Sequence, residues 1–278
     1  IKDTIFSNNI KTSRISAKFK WDRELFGFST KIMAYQSLNK DFSTSAFTVN
    51  LSRKIFKDFD LESTYKYRSQ PLNFNFYLSQ SDYVEYNWEN RSLLNQYFQT
   101  SSLIMSHPKW GSLKGEWNTI SNYTFFYNNT SINQLNEKFK TIVFQTDEKI
   151  NYLKVRLDQS FDFGNFTWAN NIQYQKVNQQ KKIDEILGDP LALNVPEWLI
   201  RSTFMLTSSL FNNSLFFQTG ATFFYFTEFF ADQFNPLLSE FVTQNNTKIG
   251  NYPRVDVFFN AKIQSSRIFL KLENVSAP

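Results

Sequence analysis

The sequence predicts an all-β fold, a transmembrane antiparallel up-and-down β-barrel, and three observations carry that prediction. Apolar and polar residues alternate with a period of two through many short segments, the pattern of a strand whose two faces meet unlike surroundings. Tight turns and long loops alternate along the chain, as they do when short turns face the periplasm and long loops face outside. Aromatic residues make up 18% of the 278 residues, with 32 Phe and 13 Tyr, which suits strands and the girdles at a membrane interface.

The first strand is expected from about Ser13 to Asp22, with Ile15, Ala17, Phe19 and Trp21 on one face and Arg14, Ser16, Lys18 and Lys20 on the other. A turn at Arg23-Glu24-Leu25 returns it as a second strand, Phe26 to Gln36, where Phe28, Thr30, Ile32 and Ala34 oppose Ser29, Lys31 and Tyr35. In a third, Phe42 to Arg53, Phe47, Val49 and Leu51 alternate with Thr48, Asn50 and Ser52. After Phe56-Lys57-Asp58, the fourth sets Phe59, Leu61, Tyr65 and Tyr67 against Asp60, Glu62, Lys66 and Arg68. Gln70 to Arg91 is a long connection with extended pieces of its own, such as Leu72 to Phe76.

The fifth strand, Ser92 to Ser106, carries apolar residues on both faces. His107 to Gly111 is a turn marked by two breakers, proline and glycine. A sixth strand is expected from Leu113 to Tyr127, with Trp117, Tyr123, Phe125 and Tyr127 in phase. An Asn-rich loop, Asn128 to Lys138, precedes Phe139 to Gln145, which would extend the hairpin above the membrane. The seventh strand, Ile150 to Asp162, alternates Leu153, Val155, Leu157 and Phe161 with Lys154, Arg156, Asp158 and Ser160. Phe163-Gly164-Asn165 turns it into an eighth, which carries Phe166, Trp168, Ile172 and Tyr174 in phase. Asn178 to Glu197 is a loop with a helical turn near Ile183 to Leu187.

Two hairpins close the chain, Trp198 to Tyr225 and Arg254 to Asn274, joined by the loop Thr227 to Tyr252. Their turns, at Asn212-Asn213 and Gln264-Ser265-Ser266, are tight. Twelve strands with turn lengths sorted to two ends do not suit a sandwich, whose Greek-key crossings mix loop lengths at one end. With the tight turns periplasmic, both ends of this set lie outside, whereas a complete barrel has its ends in the periplasm. Residues 1–278 are therefore expected to be one barrel domain, the internal or C-terminal portion of a larger barrel of about 14 or more strands, truncated at both ends.

Composition excludes much else. Mean hydropathy is −0.42, and no run of about 18 uncharged apolar residues exists to make a transmembrane helix. Cysteine is absent and His107 is the sole histidine, so thiol chemistry, His-based metal clusters and a Ser-His-Asp arrangement supported by a second histidine have no residues to use. His107, beside Pro108, reads as a turn residue. Asp184, Glu185 and Asp189 lack EF-hand spacing and read as a solvated loop. The Asn-x-Ser/Thr triplets, such as Asn122-Tyr123-Thr124, read as chance in so Asn-rich a chain. No catalytic, cofactor-binding or metal-binding residue is expected. The net charge of +5 is scattered along strands, so no nucleic-acid partner is expected. The opening Ile1 to Phe6 lacks the ordered sections of a signal peptide.

The charges that alternate with apolar residues are the informative set: Lys18, Lys20, Lys31, Glu62, Lys66, Arg68, Lys154, Arg156, Asp158, Arg254, Asp256 and Lys262. Lys or Arg facing lipid at the midplane costs about 2–4 kcal/mol each, so this face is expected to line a lumen. Basic residues outnumber acidic ones there, which favours weak anion preference if the lumen is open. The alternative is that the charges pair with one another in a filled interior. Phe223 and Tyr225, in the run Phe223 to Phe226 with Phe229 and Phe230, are expected in an outer aromatic girdle. Trp21, Trp110 and Phe211, near tight turns, are expected in a periplasmic one.

The last third resembles the C-terminal region of the putative porin family of Bacteroidota outer membranes. The resemblance rests on Asn194-Val195-Pro196-Glu197, Leu215 to Gly220, Phe234 to Leu238 with Glu240-Phe241, Ile249 to Pro253, Lys262-Ile263, Arg267 to Lys271 and Glu273-Asn274. Asn151 to Val155 also fits, and the resemblance covers roughly residues 148–278. It implies a barrel in the outer membrane of a Gram-negative bacterium, in contact with lipid, lipopolysaccharide and other outer-membrane proteins. A porin-like passive channel for small solutes is then the expected function. A non-conducting accessory barrel, or the barrel of an energised receptor of the TonB-dependent type, are the alternatives.

Overall fold

The computed structural model describes residues 15–38, 43–56, 58–83, 86–129, 140–179, 191–212 and 214–277. Twelve strands form one antiparallel sheet: β1 (Ser16–Leu25), β2 (Phe28–Ser37), β3 (Ser45–Ile55), β4 (Phe59–Gln70), β5 (Gln96–His107), β6 (Gly111–Ser121), β7 (Ile150–Phe163), β8 (Phe166–Asn178), β9 (Trp198–Leu210), β10 (Leu215–Phe226), β11 (Arg254–Ile263) and β12 (Ser266–Leu272). Their order in the sheet is their order in the chain, an up-and-down meander. No pairing joins β1 to β12 among the described residues.

Registers follow the alternation, because a one-residue slip would exchange every side chain between faces. Lys31, Asn50, Thr64, Ser102, Glu116, Lys154 and Gln175 are successive cross-strand partners from β2 to β8. Such partners share a face. The other face carries Phe19, Leu103, Trp117, Phe204 and Leu270, all exposed. No second layer covers this apolar face among the described residues, which rules out a sandwich.

The β1–β2 turn lies at Phe26-Gly27, two residues beyond the expected Arg23-Glu24-Leu25. Both have positive φ, 51° and 75°, as a two-residue turn that continues the sheet's twist requires. β5 starts at Gln96 rather than Ser92, and its register settles its ambiguous phase: Phe98 and Ile104 join the charged face, Tyr97 and Leu103 the apolar one. Between β5 and β6, His107 Nδ1 accepts hydrogen bonds from the backbone N–H groups of Lys109 (3.0 Å) and Trp110 (3.3 Å). The histidine is a turn clamp.

Gly111 closes that turn at φ 84°, and a Cβ there would stand 2.0 Å from the Asp158 carbonyl oxygen. Gly111→Ala is expected to cost about 1–3 kcal/mol, the range for overpacking and a strained φ. Urea unfolding in detergent micelles measures it.

The expected sixth strand breaks at Asn122 (φ 56°), whose Nδ2 donates to the Asn95 carbonyl. Beyond it, Thr124–Asn129 leaves the large sheet and pairs with Lys140–Gln145. It also pairs in parallel with part of Glu240–Thr243, which itself pairs with Gln233–Asn235. The expected loop Thr227 to Tyr252 thus contributes strands. Phe74–Tyr77 is a helical turn rather than extended, and Leu78–Ser79 pairs with Trp88–Glu89. The expected helical turn near Ile183, the Asp184, Glu185 and Asp189 group, and Ile1 to Phe6 lie outside the described residues.

Of the five large side chains that are almost fully buried, Phe126, Val242 and Thr141 sit in this cap of long connections, and Ile150 and Asp256 near strand ends of the sheet. Phe126 stacks on Phe76 at 4.5 Å between ring centres. Glu240 accepts hydrogen bonds from Asn73 (2.9 Å) and Asn75 (2.8 Å). Loops following β4, β6 and β10 are thereby joined.

Candidate functional site

Register places all twelve sequence-selected charges on one face of the sheet. Lys54, Asp60, Lys114, Glu116, Arg201, Arg267 and Lys271 share it, though the sequence reading did not select them. Each occupies a polar position of its strand's alternation, the signal that could have found it. Within the strands this face carries fourteen basic residues against eight acidic ones, a surplus of +6. The apolar face carries three charges, Arg23, Arg53 and Lys176, all basic and all near strand ends.

The charged face is concave. Asp60 on β4 and Arg201 and Thr203 on β9 line one cavity of about 750 Å³, together with Ser106, Ser112, Asp158 and Asn171. On a flat sheet β4 and β9 would be five strand spacings apart, about 24 Å. Only a curled sheet brings them around one space.

Four carboxylates on this face, Glu116, Asp158, Asp256 and Glu62, are held by neighbours. Glu116 pairs with Lys114 (2.7 Å) and Lys154 (3.4 Å), and accepts from Asn118 (2.9 Å). Asp158 takes a two-pronged contact from Arg156, at 2.8 and 2.9 Å, and a hydrogen bond from Asn171. Asp256, 1% exposed, lies between Arg254 (3.4 Å) and Lys271 (3.1 Å) and accepts from the Asn274 backbone. Glu62 accepts from Asn50 at 2.6 Å. Lys31, Lys66, Arg68, Arg201 and Lys262 have no carboxylate within ion-pairing distance among the described residues. Several cations lie over rings on the same face: Lys154 over Tyr152, Arg68 over Phe98, and Arg201 and Arg254 both over Phe224. Three of the eight carboxylates on this face, Glu116, Asp158 and Asp256, are ion-paired among the described residues, and the net surplus of +6 stands whatever the pairing.

Phe224 and Phe226, expected among the girdle aromatics, therefore belong to the charged face, whereas Phe223, Tyr225 and Trp21 lie on the apolar one. Trp110 and Phe211 sit at the tips of tight turns and are exposed, as are Phe26 and Phe56.

Gln96, Ile120, Ile150 and Gln175, on the charged face near the outer ends of β5 to β8, are buried. Beyond the large sheet, burial raises the hydroxyl pKa of Tyr123 and Tyr127 above 10.0, and for Tyr123 the nearby Asp232 carboxylate adds to the effect. The unfolded tyrosines ionise first, so this contribution to cap stability is intact below about pH 10 and is lost as pH rises through the folded values. Amides of residues 124–129 are expected to exchange faster above pH 10 than intrinsic base catalysis predicts, and Tyr127→Phe to blunt the excess. Hydrogen exchange at stepped alkaline pH measures this.

None of the curated proteins matches this chain. The family described as "Putative porin" matches residues 2–278, far beyond the last third on which the sequence resemblance rested. An all-β meander with one exposed apolar face, one concave charged face and a match across nearly its whole length belongs to that putative porin family.

Proposed function

We propose that the chain forms the wall of an outer-membrane channel through which small polar solutes diffuse passively, with weak preference for anions. The observation that carries this reading is the net basic surplus on the concave face around an open cavity. The family supports an outer-membrane, porin-like protein and a channel or structural role rather than catalysis. The exposed apolar face supports contact with lipid, since each aromatic or aliphatic side chain facing water instead would forgo about 1.5–3 kcal/mol of burial. Lipid and lipopolysaccharide are its partners in this reading.

Planar-bilayer recording tests it. Stepwise conductance is expected, with a reversal potential displaced toward the chloride equilibrium potential under a KCl gradient. A protein that inserts without conducting refutes the channel.

The cap favours a second reading, a barrel whose outer mouth is closed. Phe126 is its most enclosed ring, and Phe126→Ala is expected to cost about 3–5 kcal/mol locally. If the cap limits flow, this variant conducts more than the wild type. Equal conductance in the two leaves the mouth open in both and removes the second reading.

A further inference from the structure

We propose that the apolar surface of the first two hairpins, β1 to β4, binds one phospholipid of the periplasmic leaflet, with its phosphate at Arg23 and Arg53. This rests on the membrane reading above. The two arginines are charges on an otherwise apolar face, near the tight-turn end, and neither has a carboxylate within ion-pairing distance among the described residues. No acidic residue of the strands shares that face.

Register makes the two arginines near neighbours on this face. Arg53 reaches across to the neighbouring hairpin, its guanidinium carbon 5.2 Å from the Phe28 ring centre and 3.6 Å from where a Gly27 Cβ would be. Phe28 is the next same-face position to Thr30, and Thr30 is the cross-strand partner of Arg23. Guanidinium groups match phosphate oxygens in two-pronged geometry, and long side chains at strand ends carry such charges to the headgroup level.

An apolar seat lies further along the same surface. A groove of about 380 Å³ runs over Ala17 and Ala34, walled by Phe19, Phe47 and Tyr67. Along β2 the groove runs from Ala34 to Gln36, about 13 to 20 Å from Thr30; strands tilted by about 35–45° turn that into a depth of about 10 to 15 Å, within one leaflet's half, about 15 Å, of the hydrocarbon core. A phosphate at one end and an acyl chain at the other is the chemistry of a phospholipid, and neither free phosphate nor a lipid without phosphate satisfies both ends.

Native mass spectrometry of the detergent-purified protein, incubated with phosphatidylethanolamine, tests the proposal. The wild type is expected to retain one lipid, and R23Q/R53Q to bind about tenfold more weakly, the scale of losing charge-assisted hydrogen bonds. A34F, which fills the groove without touching the arginines, is expected to weaken binding as well. Retention unchanged in both variants, equal retention of diacylglycerol, or displacement by millimolar inorganic phosphate alone overturns the site. If R23Q/R53Q fails to fold, A34F with the diacylglycerol comparison decides. A wild type that conducts in bilayers yet shows no such selectivity refutes the lipid site alone. One that does not enter bilayers at all refutes the membrane reading with it.

Discussion

Val155→Arg is expected to prevent stable insertion. Val155 sits mid-strand on β7, paired with Gly115 of β6 and Tyr174 of β8 on the apolar face. A guanidinium there has no nearby end of the strand to reach, and the cost of an arginine at the midplane is about 2–4 kcal/mol. That is a large share of a typical net stability of about 5–15 kcal/mol. The same arginine one position on is native, at Arg156, where Asp158 receives it. Refolding yield into lipid vesicles, read by protease protection, should collapse for V155R. A yield equal to wild type would show that Val155 does not face hydrocarbon and would undo the assignment of faces.

Reversing three unpaired cations, Lys31→Glu with Lys66→Glu and Arg68→Glu, is expected to abolish anion preference. Each reversal moves the face by two charges, taking its surplus from +6 to zero. None of the three holds a carboxylate among the described residues, so no buried pair is broken. The reversal potential should move to near zero at about 0.1 M salt and separate less from wild type at 1 M, where the Debye length falls from about 10 to about 3 Å. Lys176→Gln, on the apolar face near the outer end of β8, should leave selectivity unchanged. A triple variant with wild-type selectivity would mean that ions do not pass along this face.

Much of the sheet was legible in the chain because one physical demand, unlike solvents on its two faces, is written at every second residue. Lys154, Arg156 and Asp158 against Leu153, Val155 and Leu157 is enough to assign β7, and the same logic holds for β1 to β4. Where the demand relaxes, reading became harder. β5 carries Phe98 and Ile104 on its charged face, and only pairing with β4 and β6 settles its phase. The turn at Phe26-Gly27 was misplaced because Arg23 and Glu24 look like turn residues, while a phenylalanine at positive φ does not.

Among the site residues, Arg201 sits in the correct phase but lacks flanking charges, and Lys114 and Glu116 are separated by Gly115 rather than by an apolar side chain that would mark the alternation. Phe224 and Phe226 were grouped with Phe223 and Tyr225 because a run of four aromatics hides its own alternation. Register assigns them to opposite faces, and the contacts of Arg201 and Arg254 with Phe224 give that assignment its chemistry.

By itself the sequence determined the strand period, the sorting of turn lengths to two ends and the partition of charge from hydrocarbon side chains, since all are local consequences of which atoms tolerate water. The tertiary structure alone decided the curl that brings Asp60 and Arg201 around one cavity, and the cap in which Phe126 meets Val242. The cap depends on a pairing between segments more than a hundred residues apart, and the curl accumulates over successive strand pairs; no local pattern records which partner will arrive or how far the sheet will turn.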